Sequence, residues 1–303
     1  MFSCKYSQKS LFSLIFIQKL LTIRHPDVII RSSKDNNERI MKMKKIFALA
    51  LALCMVFALC ACGSSSAKSE KLVFGTSADY PPYEFIYVND KGEQEYAGID
   101  VWLAQQIAAD MGKELEVVNM SFDSLMAAVN KGDVDVVLAA IEENEERLAA
   151  ADFSDPYIYP EGGCMILVQA ANAGNFTSAE DFAGKSIGAQ TGTTKVDIVT
   201  ELGGNLVGET VVTDLVNELV YGKVDAIVLD YAVGESYLAS NSDLASVEVE
   251  GVGAALPYEV AVQKGDPKGL LDSINKTIAK VLADGSLDQA IADAEVLQEQ
   301  SIT

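Results

Sequence analysis

Histidine is all but missing from this chain of 303 residues: the only one is His25. Cysteine is scarce and unevenly placed, with Cys4, Cys54, Cys60 and Cys62 in the first 62 residues and only Cys164 beyond them. Basic residues are also few past that point. Residues 1–62 carry ten Lys/Arg and three Asp/Glu, and the remainder carries 13 Lys/Arg against 41 Asp/Glu, a net of −28. No apolar run reaches the about 20 residues that a membrane-spanning helix needs; the longest, 46–61, has sixteen apolar or cysteine residues. Each shortage excludes something. Without histidine in the body of the chain there is no Ser-His-Asp triad, no Cys-His pair and no His-ligated zinc. Cys62 and Cys164 alone make no disulfide framework, and no CxxC pair offers a metal or redox site. No cofactor is expected. A body this acidic repels phosphate backbones and makes nucleic acid a poor partner; the charge itself serves solubility.

The first seventy residues read as an address rather than a fold. Met41-Lys42-Met43-Lys44-Lys45 is a basic start, the apolar run 46–61 follows, and small residues close it, which is the layout of a secretory signal. The end, Leu59-Cys60-Ala61-Cys62-Gly63-Ser64, resembles a bacterial lipobox, with a branched apolar residue, then a small residue directly before the cysteine. By that resemblance Cys62 carries a lipid after cleavage. Cys60 is the poorer candidate, because Leu59 would directly precede it, and a plain signal peptide cut nearby is the alternative. Residues 1–40 do not fit this scheme, since they place a second apolar stretch, 11–17, ahead of a charged segment. Translation is expected to begin at Met41 or Met43; a tandem membrane anchor is the alternative. The expected layout is an extension at 1–40, a lipoprotein signal peptide at 41–62 and a flexible Ser-rich tether at 63–70. The expected location is extracytoplasmic, anchored to the cell membrane by lipid.

From Lys71 onward strand and helix patterns alternate, which argues for an α/β fold with mostly parallel sheets. Leu72-Val73-Phe74-Gly75 reads as a strand, 99–111 as a helix stopped at Gly112, 115–118 as a strand, 121–130 as a helix with Ser121 at its N-cap, and 134–140 as a buried strand. The second half repeats the plan: a strand at 185–189, a Gly/Thr loop, a helix from about Thr194, a strand region at 206–212, a helix at 214–221 and a strand at 224–229. The clearest internal match sets Lys131-Gly132-Asp133-Val134-Asp135-Val136-Val137 beside Tyr221-Gly222-Lys223-Val224-Asp225-Ala226-Ile227. Each turns on a glycine into an apolar strand, and two similar lobes are the simplest account. Another strand, 256–262, and two terminal helices, 268–283 and 287–298, complete the chain.

Ligands of open α/β sheets bind beyond the carboxyl ends of the strands, and polar residues cluster there. Asp79 and Tyr80 follow the first strand, 142–147 follow the strand ending at Ala140, Thr191-Gly192-Thr193-Thr194 follow the strand at Ala189, and Asp230 ends its own. Arg147 and Asp230 on opposite lobes present opposite charges across a cleft, which suits a zwitterion.

Several segments together carry a resemblance. Gly75-Thr76-Ser77-Ala78-Asp79-Tyr80-Pro81-Pro82-Tyr83-Glu84-Phe85, Gly98-Ile99-Asp100-Val101, Gly132-Asp133-Val134-Asp135, Glu145-Glu146-Arg147, Asp152-Phe153-Ser154-Asp155-Pro156-Tyr157, Gly192-Thr193-Thr194, Val224-Asp225-Ala226 and Ala261-Val262-Gln263-Lys264-Gly265-Asp266 occur in the order seen in family 3 extracellular solute-binding proteins, the polar amino-acid receptors of ABC importers. Each motif alone is weak; their order and spacing are specific, and the match spans roughly 71–298. The resemblance implies a two-lobed, type II periplasmic-binding-protein-like fold with a discontinuous first lobe, 71–157 and 258–303, around a second lobe at 158–257. It implies a monomer that captures a small molecule, an amino acid or related amine, and delivers it to a membrane permease. Arg147 would clamp a ligand carboxylate through its bidentate fork; a surface ion pair with Glu143 or Glu145 is the alternative. Asp230 would hold an ammonium, the alternative being a helix cap. Thr193 and Thr194 would offer hydroxyl and N–H donors at a helix start, or merely cap it. Tyr80 and Phe122 would wall the pocket, or pack within their lobe. Trp102 and Cys164 read as packing residues, and Asp100, Asp133, Asp135 and Asp155 as residues of turns and caps.

One segment departs from the family pattern. Ala139-Ala140-Ile141-Glu142-Glu143-Asn144 has Glu142 where a Ser/Thr hydroxyl is usual. A carboxylate there repels a ligand carboxylate unless it is protonated or turned toward Arg147 or a ligand amine. Lys195 also borders the pocket. The expected ligand is therefore not a plain neutral amino acid: it carries an extra amine that pairs with Glu142, or it lacks the usual carboxylate geometry. Two other readings remain. An enzyme on this fold, resembling small dehydratases, would use Glu142 as its acid or base; a sensory domain would need a downstream signalling or membrane segment, which the sequence up to Thr303 does not contain.

Overall fold

The computed structural model describes residues 70–249, 253 and 256–301. The signal segment, Cys62 and nearly all of the tether lie outside the described residues. Two five-stranded sheets, each flanked by helices, form the frame. The first runs β5-β1-β6-β13-β7, built from β1 (Lys71–Thr76), β5 (Glu114–Asn119), β6 (Val136–Val137), β7 (Ala151–Phe153) and β13 (Ala261–Gln263). The second runs β10-β9-β11-β8-β12, built from β8 (Cys164–Gln169), β9 (Ser186–Gln190), β10 (Asn205–Glu209), β11 (Ala226–Asp230) and β12 (Leu244–Val247). The first lobe is thus discontinuous, because β13 returns to it and pairs with β6 and β7.

The central strands β1, β5 and β6 are mutually parallel, as are β9, β10 and β11. Both sheets are nonetheless mixed, since β13 runs antiparallel to its neighbours and β8 antiparallel to β11 and β12. These are the strands that follow a passage of the chain from one lobe to the other, and each arrives from the opposite direction. At the two passages the chain pairs with itself: Ile158 and Tyr258 form an antiparallel bridge, the Tyr157 N–H donates to the Tyr258 carbonyl at 3.0 Å, and the Tyr258 N–H donates to the Ile158 carbonyl at 2.9 Å.

The internal repeat has a physical basis. After the helix Phe122–Lys131, Gly132 takes a left-handed φ of 78°, and after the helix Val212–Val220 Gly222 takes 67°; at both places only glycine turns the chain without strain. Asp135 then accepts the Val73 N–H at 2.8 Å while its own N–H donates to the Val73 carbonyl at 2.7 Å. Asp225 makes the same pair with Ser186, at 2.9 and 2.8 Å. Each aspartate closes the edge where a central strand starts, a structural duty in both lobes.

The helix Ile99–Asp110 buries Ile99, Val101, Leu103, Ala104, Ile107 and Ala108, and Trp102 packs against the same core. It lies against the terminal helices Leu271–Ala283 and Ser286–Ser301. Its fully buried Asp100 accepts the Ala140 N–H at 2.8 Å and the Tyr157 hydroxyl at 2.7 Å. Ala140 has φ 45°, a left-handed conformation unusual for a residue with a side chain. One carboxylate therefore ties the loop after β6 to the passage at 157–158. Burial pushes Asp100 up from 3.8 to about 6, against its hydrogen bonds, which pull it down. An acid whose pKa is raised by folding contributes stability while protonated and loses it as pH rises through the folded value. From this group alone, stability should fall by about 1.5 kcal/mol between pH 5 and pH 7.5. Urea unfolding across that range should show the slope, and Asp100→Asn should remove this part of it.

Among the described residues, no helix is long and apolar enough to cross a membrane.

Candidate functional site

The carboxyl ends of β1, β6, β9 and β11 converge where the lobes meet. The segment after β1 brings Ser77 and the short strand β2 (Asp79–Tyr80); the loop after β6 brings Ala139, Ala140 and Glu142; the loop after β9 brings Thr193 and Thr194; β11 ends on Asp230.

A chain of ions and hydrogen bonds runs across the junction. Arg147 Nη1 lies 3.1 Å from Glu142 Oε2 and donates to the Glu142 carbonyl at 2.7 Å. Its Nη2 donates across the lobes to the Gly192 carbonyl at 3.0 Å, and its guanidinium lies 5.3 Å from the centre of the Phe122 ring. Thr194 Oγ1 donates to Glu142 Oε1 at 2.7 Å. Lys195 Nζ is 2.7 Å from Asp230 Oδ1 and 3.9 Å from Glu142 Oε1. The Tyr80 hydroxyl donates to Asp230 Oδ2 at 2.6 Å, and the Asp230 N–H donates back to that hydroxyl at 3.3 Å. The Arg147 and Glu142 side chains are 5 % and 4 % exposed, so both charges depend on each other rather than on water.

The electrostatics follow from that arrangement. Burial alone would push Glu142 up, but Lys195 and Arg147 beside it, with the Thr194 hydroxyl, outweigh burial and hold it at about 2. Burial would push Lys195 down, but Asp230 and Glu142 raise it. Glu142 and Lys195 are both held in their charged forms at neutral pH. Farther in, burial and then Asp100 push Glu84 well above the usual carboxylate range.

The expected site residues take different places. Tyr80, Glu142, Arg147, Thr194 and Asp230 join the cluster directly. Gly192 contributes its carbonyl, and its backbone lets the lobes close: at φ 80°, an added Cβ would lie 3.1 Å from the Asp123 Cα of the other lobe. Phe122 and Ala140 line a cavity of about 10 Å³ beside the cluster, together with Thr193, whose hydroxyl is turned back to the Gln190 carbonyl at 2.7 Å. Asp79 borders that cavity but accepts the Val212 N–H at 2.6 Å, starting the helix of the other lobe. Thr191 donates to the Glu209 carbonyl at 3.3 Å and sits at the strand edge.

The sequence places Lys195 at the border of the pocket without naming a partner for it; in the structure it is the centre of the site. Its position directly after the Thr193-Thr194 pair was the available signal. On its far side opens a cavity of about 310 Å³, lined in part by Cys164, Asp197, Glu201 and Tyr258. Cys164 packs against the core of the second lobe, as the sequence suggests, and also lines this cavity; burial pushes its thiol up to about 11.

A family model described as bacterial extracellular solute-binding proteins, family 3, matches residues 72–293. The chain is 33 % identical over 255 residues to the arginine-binding extracellular protein ArtP of Bacillus subtilis, covering 82 % of this chain and 96 % of that protein. It is 30 % identical over 227 residues to the L-cystine-binding protein TcyJ of Escherichia coli, covering 73 % and 81 %. Among solved structures, the amino acid ABC transporter substrate-binding protein AbpA of Streptococcus pneumoniae, bound to L-arginine, superposes with a TM-score of 0.71 at 32 % identity, covering 75 % of this chain and 95 % of that one.

Proposed function

We propose, from the premise that this chain belongs to the bacterial extracellular solute-binding proteins of family 3, that it captures a small polar solute bearing a cationic nitrogen, an amino acid or a related amine, between its two lobes. The observation that carries this is the buried ion cluster joining the lobes, in which Arg147 and Glu142 of one meet Lys195 and Asp230 of the other. Around it the carboxylates outnumber the cations: Asp79, Glu142, Asp197, Glu201 and Asp230 line the two cavities, with Lys195 the lone cation lining either. A cleft with this balance favours positive ligands. The arginine-binding relatives support the same direction.

In this reading the ligand meets Tyr80, Phe122, Ala140 and Glu142 from one lobe, with Arg147 beside Glu142, and Gly192, Thr193, Thr194 and Asp230 from the other, with Asp79 and Thr191 at the border. Only a ligand that touches both lobes favours their closure, and motion about the paired passages at 157–158 and 257–258 is the proposed hinge. The closed form is then read by the membrane component of an ABC importer, with the protein held at the cell surface through lipid on Cys62. The chain acts as a binding protein, not a catalyst: Glu142, the carboxylate that acid–base chemistry would need near neutrality, is held at about 2.

A thermal-shift screen of the purified protein against amino acids, polyamines and small peptides tests this. A ligand at 100 times its dissociation constant adds about 2.7 kcal/mol of stability. Hits are expected among cationic amino acids and amines; a blank across all three classes would end this reading.

A further inference from the structure

The charges that a zwitterionic ligand would bring to the cleft are already present as side chains. Glu142 lays a carboxylate on Arg147 at 3.1 Å, and Lys195 lays an ammonium on Asp230 at 2.7 Å. The two pairs are not equally easy to exchange. Arg147 is engaged at both terminal nitrogens and against one ring: Nη1 by the carbonyl and carboxylate of Glu142, Nη2 by the Gly192 carbonyl, and the guanidinium near Phe122. Glu142 is held a second time by the Thr194 hydroxyl and is almost wholly buried. Moving it aside would break two charge-assisted bonds and strand a carboxylate away from water, and a ligand carboxylate would restore only like for like.

Lys195 differs. It has one close charged partner, a flexible four-carbon stem, and a cavity of about 310 Å³ beside it that Asp197 and Glu201 also line. Its ammonium can swing away from Asp230 toward Asp197 and Glu201 within that cavity, which Glu142 and Asp230 also line, and remain near carboxylates. What it vacates is a seat between the carboxylates of Asp230 and Glu142, walled by the Tyr80 hydroxyl, which favours a cation over an anion.

We infer that Lys195 and Glu142 are a built-in stand-in for a ligand's two charges, and that the cleft selects a small amine or guanidine without an α-carboxylate, which replaces the Lys195 ammonium between Asp230 and Glu142. Arg147 serves here to hold Glu142 in place, not to clamp a ligand. This rests on the reading of the cleft as a solute site and narrows its substrate class.

Matched pairs that differ only by the carboxylate test it: L-arginine with agmatine, and L-lysine with cadaverine, titrated calorimetrically into the wild-type protein. The member without the carboxylate should bind about tenfold or more tightly, since a second carboxylate beside Glu142 and Asp230 adds like-charge repulsion to the cost of burying it. Glu142→Thr, which frees the Arg147 fork, should move the preference toward the amino acid by about tenfold or more; Glu142→Gln keeps the shape and serves if the first variant is unstable. Lys195→Gln should tighten every cation that binds. If wild type binds L-arginine as tightly as agmatine or more so, the inference is overturned while the solute-binding reading stands. If neither member of either pair binds to wild type or to any variant, that reading falls and takes the inference with it.

Discussion

Gly98→Ala should destabilise the protein by more than about 4 kcal/mol, through backbone alone. Gly98 precedes the helix Ile99–Asp110 with φ 115° and ψ 174°, a conformation essentially confined to glycine. A Cβ there would stand 2.2 Å from the Tyr83 carbonyl oxygen and 2.6 Å from its carbon. Those atoms are not free to yield. The Ile99 N–H donates to the Pro82 carbonyl at 3.1 Å and the Asp100 N–H to that same Tyr83 carbonyl at 2.9 Å, so the helix start is pinned to the loop that enters the cleft. Relief requires pulling the helix away, and with it Asp100, which carries Ala140 and Tyr157. Gly112→Ala is the control. Gly112 also has a positive φ, 66°, but an added Cβ meets nothing within 4 Å, so only the local strain of about 1–2 kcal/mol applies. Thermal unfolding should place Gly98→Ala roughly 10 °C or more below wild type and Gly112→Ala a few degrees below. Equal shifts for the two would mean that the close approach at Tyr83 is not a feature of the protein in solution.

Much of this architecture is written locally in the chain, and Gly98 illustrates why. Central strands and their helices were legible because buried strands are apolar throughout and because glycine marks the turns at 132 and 222. The helix read at 121–130 is Phe122–Lys131, and its Ser121 sits at the N-cap position, but the hydroxyl donates to Asp123 rather than capping the backbone. The hairpin of β3 (Glu84–Val88) and β4 (Gln94–Ala97) was passed over, although the Asn89 side chain accepts the N–H groups of Lys91 and Glu93 to build its turn. Its alternation is weak because Ile86 and Val88 face outward. In the cleft, residue types and their order placed Arg147 and Asp230 beyond the right strands. Which of several charged side chains occupies the space between them depends on two segments about fifty positions apart meeting across the lobes, and no local pattern encodes that. Glu142 was legible as a departure; Lys195 as its partner was not.

The Arg147–Glu142 pair should show strong coupling in a double-mutant cycle, with a size that depends on pH. Arg147→Met leaves the buried Glu142 carboxylate with Lys195 at 3.9 Å and the Thr194 hydroxyl, and leaves the Gly192 and Glu142 carbonyls without their donor. At pH 7 that should cost about 3 kcal/mol or more, the usual penalty for breaking a buried pair. Glu142→Met leaves the guanidinium on two carbonyls and the Phe122 ring, and should also be costly. The double variant replaces both charges with apolar bulk and should lie well above the sum of the singles, a coupling of about 2–3 kcal/mol. The pH arm separates ionic pairing from packing. In wild type Glu142 titrates at about 2 against 4.5 in an unfolded chain, so its contribution is complete above pH 4.5 and is lost as pH falls toward 2. In Arg147→Met, burial is opposed by Lys195, the Thr194 hydroxyl and a backbone hydrogen bond, without the guanidinium, and the folded value rises. If it passes the unfolded one, the penalty is greatest at pH 7 and shrinks as pH falls and Glu142 takes up a proton. Chemical denaturation of the four proteins at pH 7 and pH 4.5 measures both. Additive effects with no pH dependence would place Glu142 in water, which is to say that the cleft stands open without ligand and that no internal charge fills it. Coupling that weakens at the lower pH would mean the lobes close on their own ions, and that any solute entering must compete with Lys195 for the seat.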